Sequence, residues 1–164
     1  MEIETQVQAA MDTLGLPYEV LACQPEWADT AQFCAHYGVE PADSANTIVI
    51  ASKKPKGVFA ACVALATTRL DVNRAVKRAM GVSRVSFATA EQTIALTGMM
   101  IGGVTPPGLP TTLPILVDAA VMGRDRIVIG GGSRSTKIAV SPRLFEHLPG
   151  VRIVEGLARL HPAR

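Results

Sequence analysis

A mixed α/β domain is what this sequence predicts, and three observations predict it. Apolar residues recur at helical spacing in some segments and gather into short β-branched runs in others. The two kinds of segment interleave without a strict strand–helix–strand repeat. Several runs are joined by tight turns, so the sheet is expected to be mostly antiparallel or mixed. One domain over residues 1–164 is the natural reading of a chain of this length.

Ile3, Val7, Ala10, Met11 and Leu14 share one face of a first helix, stopped by Gly15 and Pro17. Residues 17–22 suit a short strand. Asp29 or Thr30 caps a second helix carrying Phe33, Cys34 and Tyr37 and ended by Gly38. Residues 46–51 and 58–65 are β-branched and apolar, and Lys53-Lys54-Pro55-Lys56-Gly57 between them reads as a hairpin loop. Asp71 is the expected cap of the clearest helix, in which Val72, Ala75, Val76, Ala79 and Met80 form one stripe before Gly81. Arg74, Lys77 and Arg78 fall away from that stripe. Thr89 with Gln92 forms a capping box for a helix to about Thr97. Strands are expected at 113–117, 126–129 and 136–140. Ser141-Pro142 opens a short helix through His147, and residues 151–154 form a last strand.

Composition narrows the function classes. Hydrophobic residues make up 48% and charged residues 18%, below the roughly 25% charge of ordinary soluble domains, which argues against a disordered chain. Seven aromatic residues leave the core to aliphatic side chains and argue against a broad base-stacking platform. The longest apolar run, residues 58–66, falls well short of the roughly 20 residues that span a bilayer. Met1-Glu2-Ile3-Glu4 is acidic rather than basic, so a cytoplasmic domain is expected, with no membrane partner. Cys23, Cys34 and Cys62 form no CxxC pair, and His36, His147 and His161 have no ligand spacing, so a zinc site is not expected.

Charge is segregated. Residues 1–52 hold eight acidic and no basic residues; residues 53–84 hold eight basic residues against Asp71 alone. The basic segment is a candidate for phosphate contact, or an ordinary solvated helix and turn. Two glycine segments could carry chemistry. Residues 98–108, Gly98-Met99-Met100-Ile101-Gly102-Gly103-Val104-Thr105-Pro106-Pro107-Gly108, allow close main-chain approach to a ligand, or else form a structural crossing. Gly130-Gly131-Gly132-Ser133-Arg134-Ser135 matches no nucleotide-binding or nucleophile-elbow pattern and is either a glycine hairpin or a pocket rim. Asp118, ending an apolar strand, is the best-placed lone carboxylate, either for a substrate or as a solvated strand end.

Ser44-Ala45-Asn46-Thr47-Ile48-Val49-Ile50, Leu70-Asp71-Val72-Asn73-Arg74-Ala75-Val76 and the two glycine segments occur in this order. Together, over roughly residues 5–156, they resemble the YbaK/prolyl-tRNA synthetase insertion-type family of aminoacyl-tRNA editing domains. The resemblance implies a partly barrel-like central sheet flanked by helices. It also implies hydrolysis, without metal or cofactor, of the ester between a wrong amino acid and the terminal adenosine of tRNA. Mischarged aminoacyl-tRNA would be the partner, with an aminoacyl-tRNA synthetase as a second, and DNA would not. Carried onto this chain, Asn46, Gly102 and Gly103 would be catalytic. Thr105, Pro106, Gly132, Ser133 and Arg134 would bind the substrate; from its place at a strand end Asp118 is a further substrate-binding candidate, and from their charge Lys53, Lys54, Arg74, Lys77 and Arg78 are the tRNA-binding candidates.

One position departs from the family pattern, which has a lysine directly before the Thr-hydrophobic strand. Here that residue is Asn46, which hydrogen-bonds but carries no charge. Lys53 would lie roughly 23 Å away along an extended strand. Two readings follow: an editing deacylase, or a catalytically silent module that binds aminoacyl-tRNA or a small ligand.

Overall fold

The computed structural model describes residues 2–161; Met1 of the acidic start and residues 162–164 of the expected domain lie outside the described residues. The centre is the long hairpin of β2 (Ala45–Lys54) and β3 (Lys56–Leu65), in which Asn46 faces Ala64 and Ile50 faces Ala60. Both strands run further into the basic turn than expected, so that Lys53 pairs with Lys56 across Pro55. β3 continues in parallel to β6 (Ile115–Asp118), and β6 to β9 (Val151–Val154). With β5 (Arg84–Phe87) on the far edge, the order is β5-β2-β3-β6-β9. A second sheet places β8 (Thr136–Val140) between β1 (Tyr18–Ala22) and β7 (Ile127–Gly130), antiparallel to both. A parallel bridge from Ser44 to Val128 joins the sheets. The result is the expected mixed α+β architecture.

The apolar run of β3 is explained by burial on both faces. Ala61, Val63 and Leu65 enter the main core with Val7 and Met11 of α1 (Ile3–Leu14), Met99, Ile127, Ile129 and Ile138. Ala60, Cys62 and Ala64 enter a second cluster with Ile50, Leu116 and Val76. A third cluster, Cys23, Ala28, Phe33, Val128 and Ala139, lies between α2 (Thr30–Tyr37) and the β1-β8-β7 sheet.

Several local expectations need correction. The helix after Asp71 is not one α-helix: Val72–Val76 is π-helical, with the Val76 N–H on the Asp71 carbonyl at 3.0 Å, and α3 is only Lys77–Met80. Asp71 makes no side-chain cap and instead pairs with Arg159 at 3.4 Å. The strand expected at 113–117 starts at Ile115, because Pro114 has no N–H and Leu113 closes a turn onto Pro110. β4 (Thr68–Leu70), β5 and β10 (Ala158–Leu160) are short strands that exist through remote pairing. The capping box stands at the start of α4 (Ala90–Thr97): Gln92 N–H donates to Thr89 Oγ1 at 3.0 Å and Thr89 N–H to Gln92 Oε1 at 2.9 Å. Thr89→Ala is expected to cost about 1 kcal/mol, read as a lower urea midpoint.

Candidate active site

β5 covers the outer edge of β2 only from Ile50 to Lys54, and the Ala88 N–H closes onto the Val49 carbonyl at 2.9 Å. Upstream, that edge borders a cavity of about 260 Å³ that residues 45–49 all line. Consecutive strand residues point to alternate faces, so five in a row place the cavity along the edge of the strand. The opposite wall combines Ala28, Asp29 and Thr30 at the start of α2, Ile101, Gly102 and Val104 of the glycine-proline loop, and Gly130 and Lys137. Thr30 Oγ1 donates to Asn46 Oδ1 at 2.5 Å, which leaves the Asn46 NH₂ to donate elsewhere. The Thr47 hydroxyl is buried on this wall with no partner among the described residues. A second cavity of about 620 Å³ shares Thr30 and Asn46 and adds Cys34, Gly38 and Pro41.

Lys137 was not singled out from the sequence. In β8, Ile138 and Val140 enter the main core, so Lys137 and Ala139 face the other way, which alternation alone reads as solvent. α2 covers that face. Lys137 is therefore 7% exposed, its Nζ lies 5.5 Å from the centre of the Phe33 ring and it donates to the Gly102 carbonyl at 2.9 Å. Burial pushes its pKa below the usual lysine range, and Arg134 adds to this while Cys23, Cys34 and Asp29 oppose it. A lysine within a strand whose neighbours are apolar was the only available signal.

The two glycine segments meet back to back. Gly132 N–H donates to the Gly103 carbonyl at 2.7 Å, and Met100 N–H to the Gly132 carbonyl at 3.0 Å. A Cβ on Gly103 would sit 2.3 Å from the Ser133 carbonyl oxygen, and one on Gly130 would sit 2.6 Å from that of Val104. The main chains touch, which is why both segments need glycine. Gly103 N–H is held by the Met100 carbonyl at 2.8 Å. The amides of Gly102 and Val104, both cavity residues, make no hydrogen bond among the described residues and are among the main-chain donors available to a ligand.

The other expected residues surround this arrangement without lining the cavity. Thr105 is fully buried, with its N–H on Met99 Sδ at 3.4 Å, and Pro106 is buried beside it. Gly132 packs on α1, and the Ser133 hydroxyl donates to the Glu4 carboxylate while accepting from Ser135 N–H at 3.0 Å. Arg134 is a tie: it donates to the carbonyls of Pro25 and Ile101, each at 3.0 Å, and pairs with Asp29 at 3.1 Å. Asp118 lies at the end of β6, buried, accepting the Ala158 N–H at 3.3 Å. Its pKa is raised by burial, against backbone donors from Ala158, Leu157, Ala120 and Ala119.

Lys53 and Lys54 stand at the hairpin tip, with Lys54 opposite Arg84. An open groove there, lined by Lys53, Lys56, Arg84, Phe59 and Phe87, runs to Thr89 and Gln92, next to the cavity residues Ala88 and Thr93. Arg74, Lys77 and Arg78 belong to the helical segment that packs on the Ala60–Cys62–Ala64 face, opposite the face carrying Met99 and Val104.

Burial raises the pKa of Cys23 and Cys34 and pushes that of Cys62 up to about 12, so all three stay protonated thiols at neutral pH. Among the described residues no group of three or more His, Cys, Asp or Glu side chains converges to hold a metal ion, and no helix is long and apolar enough to cross a membrane.

Solved structures share this fold. The crystal structure of hypothetical protein APE2540 superposes with a TM-score of 0.83 at 26% identity, over 94% of this chain and 99% of that one. A candidate trans-editing enzyme for prolyl tRNA synthetase superposes with a TM-score of 0.80 at 22% identity, over 99% of each chain. The aminoacyl-tRNA editing domain family matches residues 24–148, from before α2 to beyond β8, and thus takes in every wall of the cavity. The chain belongs to the aminoacyl-tRNA editing domain family, the one its motifs resemble.

Proposed function

We propose that this domain is a deacylase that hydrolyses the ester of mischarged aminoacyl-tRNA in trans. The observation that carries the reading is the cavity itself. It is a half-open cleft along the edge of β2, lined by Gly102 and Val104, whose amides make no hydrogen bond among the described residues, at about 260 Å³, smaller than the roughly 300–1,000 Å³ of drug-sized sites. That volume suits an aminoacyl group attached to the edge of a ribose. Water adds to the ester carbonyl carbon, and the amides hold the oxygen that becomes negative. The bond to the ribose oxygen then breaks, that oxygen takes one of the two protons of the water, the other is released to solvent, and the amino acid leaves as its carboxylate. Asn46, oriented by Thr30, donates to the substrate. Thr105, Pro106, Gly132, Ser133 and Arg134 support the loop from behind.

A panel of mischarged tRNAs tests this, with deacylation expected for at least one. The competing reading, a silent binding module, rests on the uncharged Asn46. It would be favoured by saturable binding without turnover across the panel.

The 3′ strand of the tRNA would approach along the groove of Lys53, Lys56 and Arg84, with Lys54 beside it and bases against the exposed Phe87 ring. Arg74, Lys77 and Arg78 would be reached only by tRNA extending around the sheet. Lys53→Glu/Lys56→Glu is expected to weaken tRNA binding and to reduce the slope of log affinity against log salt by about 1.5. Arg74→Glu/Arg78→Glu should change that slope by less, and the reverse order would move the tRNA to the other face.

A further inference from the structure

A buried ammonium without a carboxylate partner is an expensive feature of a fold. Lys137 is 7% exposed and makes no ion pair within 4.0 Å among the described residues. Asp29, the acidic side chain nearest in kind on the cavity wall, is paired with Arg134 at 3.1 Å. What Lys137 has is one carbonyl, that of Gly102 at 2.9 Å, and the face of the Phe33 ring. An ammonium has three N–H donors, so two remain beyond the Gly102 contact, and the space they adjoin is the cavity that Lys137 lines. The cross-strand neighbours of Lys137 are Leu21 and Gly130, and the main chain of Gly103 and Val104 packs directly on Gly130, so no acidic side chain flanks the lysine within the sheet. Thr47, another residue lining the cavity, has a buried hydroxyl with no partner among the described residues. A methionine at position 137 would satisfy the apolar surroundings of Phe33, Ala139 and Leu21 at no charge cost. These features together describe a cation held ready for an anionic oxygen.

We infer that Lys137, reaching the cavity from β8, is a catalytic residue that donates to the ester carbonyl oxygen and stabilises the negative charge formed there when water adds. The inference rests on the deacylase reading and adds to it the source of positive charge that Asn46 cannot supply. The step is balanced without Lys137 changing its protonation: the ammonium holds the oxyanion in the tetrahedral intermediate, and the electron pair of that oxygen re-forms the C=O bond as the C–O bond to ribose breaks and the ribose oxygen departs with the bonding pair. The proton taken by the ribose oxygen comes from the attacking water. Because the charged form is the active one, the groups facing Nζ set the pH range: Cys23 and Cys34, both protonated at neutral pH, Asp29 and Arg134.

The test compares wild type, Lys137→Met and Lys137→Arg on the tRNA that wild type deacylates, with the uncatalysed rate subtracted at each pH. Removing one electrostatic contact to an oxyanion lowers kcat by about 10²–10³, and that loss is expected in Lys137→Met with KM changed only a few-fold. Wild-type kcat should fall on the alkaline side at a pH below the ordinary lysine range. That limb should move upward in Lys137→Arg and vanish from whatever rate Lys137→Met retains. A folded Lys137→Met with wild-type kcat, or one altered in KM alone, overturns the assignment. Should Lys137→Met not fold, Lys137→Gln takes its place with the same two outcomes. Absence of turnover in wild type would instead count against the deacylase reading. In that case a 3′-aminoacylamino-adenosine amide is titrated into wild type and Lys137→Met. At least tenfold weaker binding by the variant keeps Lys137 on the acyl oxygen, and equal binding removes it.

Discussion

Gly103→Val is expected to destabilise the domain by about 3 kcal/mol or more, because the overlap it creates is with main chain rather than with a side chain that can turn aside. The new Cβ would lie 2.3 Å from the Ser133 carbonyl oxygen and 2.7 Å from the Ser133 nitrogen. Relief requires the two glycine segments to separate, breaking the bond from Gly132 N–H to the Gly103 carbonyl at 2.7 Å. Gly123→Ala is the control, since a Cβ there meets nothing within 4 Å. Urea unfolding of both variants gives the answer, and similar midpoints would mean that the segments are not held in contact. The consequence for enzymology is direct: lost turnover in Gly103→Val reports broken packing, so the chemistry of the loop is better probed at Lys137 and Asn46.

Lys137→Met carries the opposite sign, a gain expected to be about 1–2 kcal/mol near neutral pH, as for other exchanges of buried charge for apolar volume. Burial lowers the Lys137 pKa in the folded protein, so between that lowered value and the ordinary lysine range the unfolded chain binds more protons than the folded one. Wild-type stability therefore rises with pH through that window. Below it the full cost of the buried ammonium is present; above it the cost disappears. The advantage of the methionine variant should be constant at neutral pH and shrink as pH climbs towards the ordinary lysine range. Paired thermal melts across that range measure it. A variant less stable than wild type at pH 7 would show that the Gly102 and Phe33 contacts outweigh desolvation. Stability gained where turnover is lost is the pattern of a residue retained for activity.

Much of the fold was legible because the signals are local. Helix α1 follows from the spacing of Val7 and Met11, α4 from the Thr89–Gln92 box, and the β2–β3 hairpin from two β-branched runs about a turn. The errors fall where a remote partner or a missing N–H decides. Asp71 has the chemistry of a helix cap, yet Arg159 of β10 takes its carboxylate. Residues 113 and 114 continue an apolar run, yet Pro114 cannot enter the ladder. β4 and β10, three residues each, are strands through pairing with each other.

The site divided along the same line. The two glycine segments could be found in the sequence because close main-chain contact admits only glycine, and residues with that restriction announce themselves by type. Asn46 was found because it stands where the pattern of the resembled family has a lysine, directly before the Thr-hydrophobic strand. Lys137 was not, because a lysine alternating with Ile138 and Val140 has the pattern of a half-exposed strand. Only α2, laid over that face through Phe33 and Ala28, turns the outward position into an interior one. The sequence by itself determined most of the elements, the two glycine segments and the family, all written in spacing and residue type. Which cation enters the cavity, and which basic segment shares its side of the sheet, were decided by tertiary structure, since burial and facing depend on what a distant part of the chain places on top.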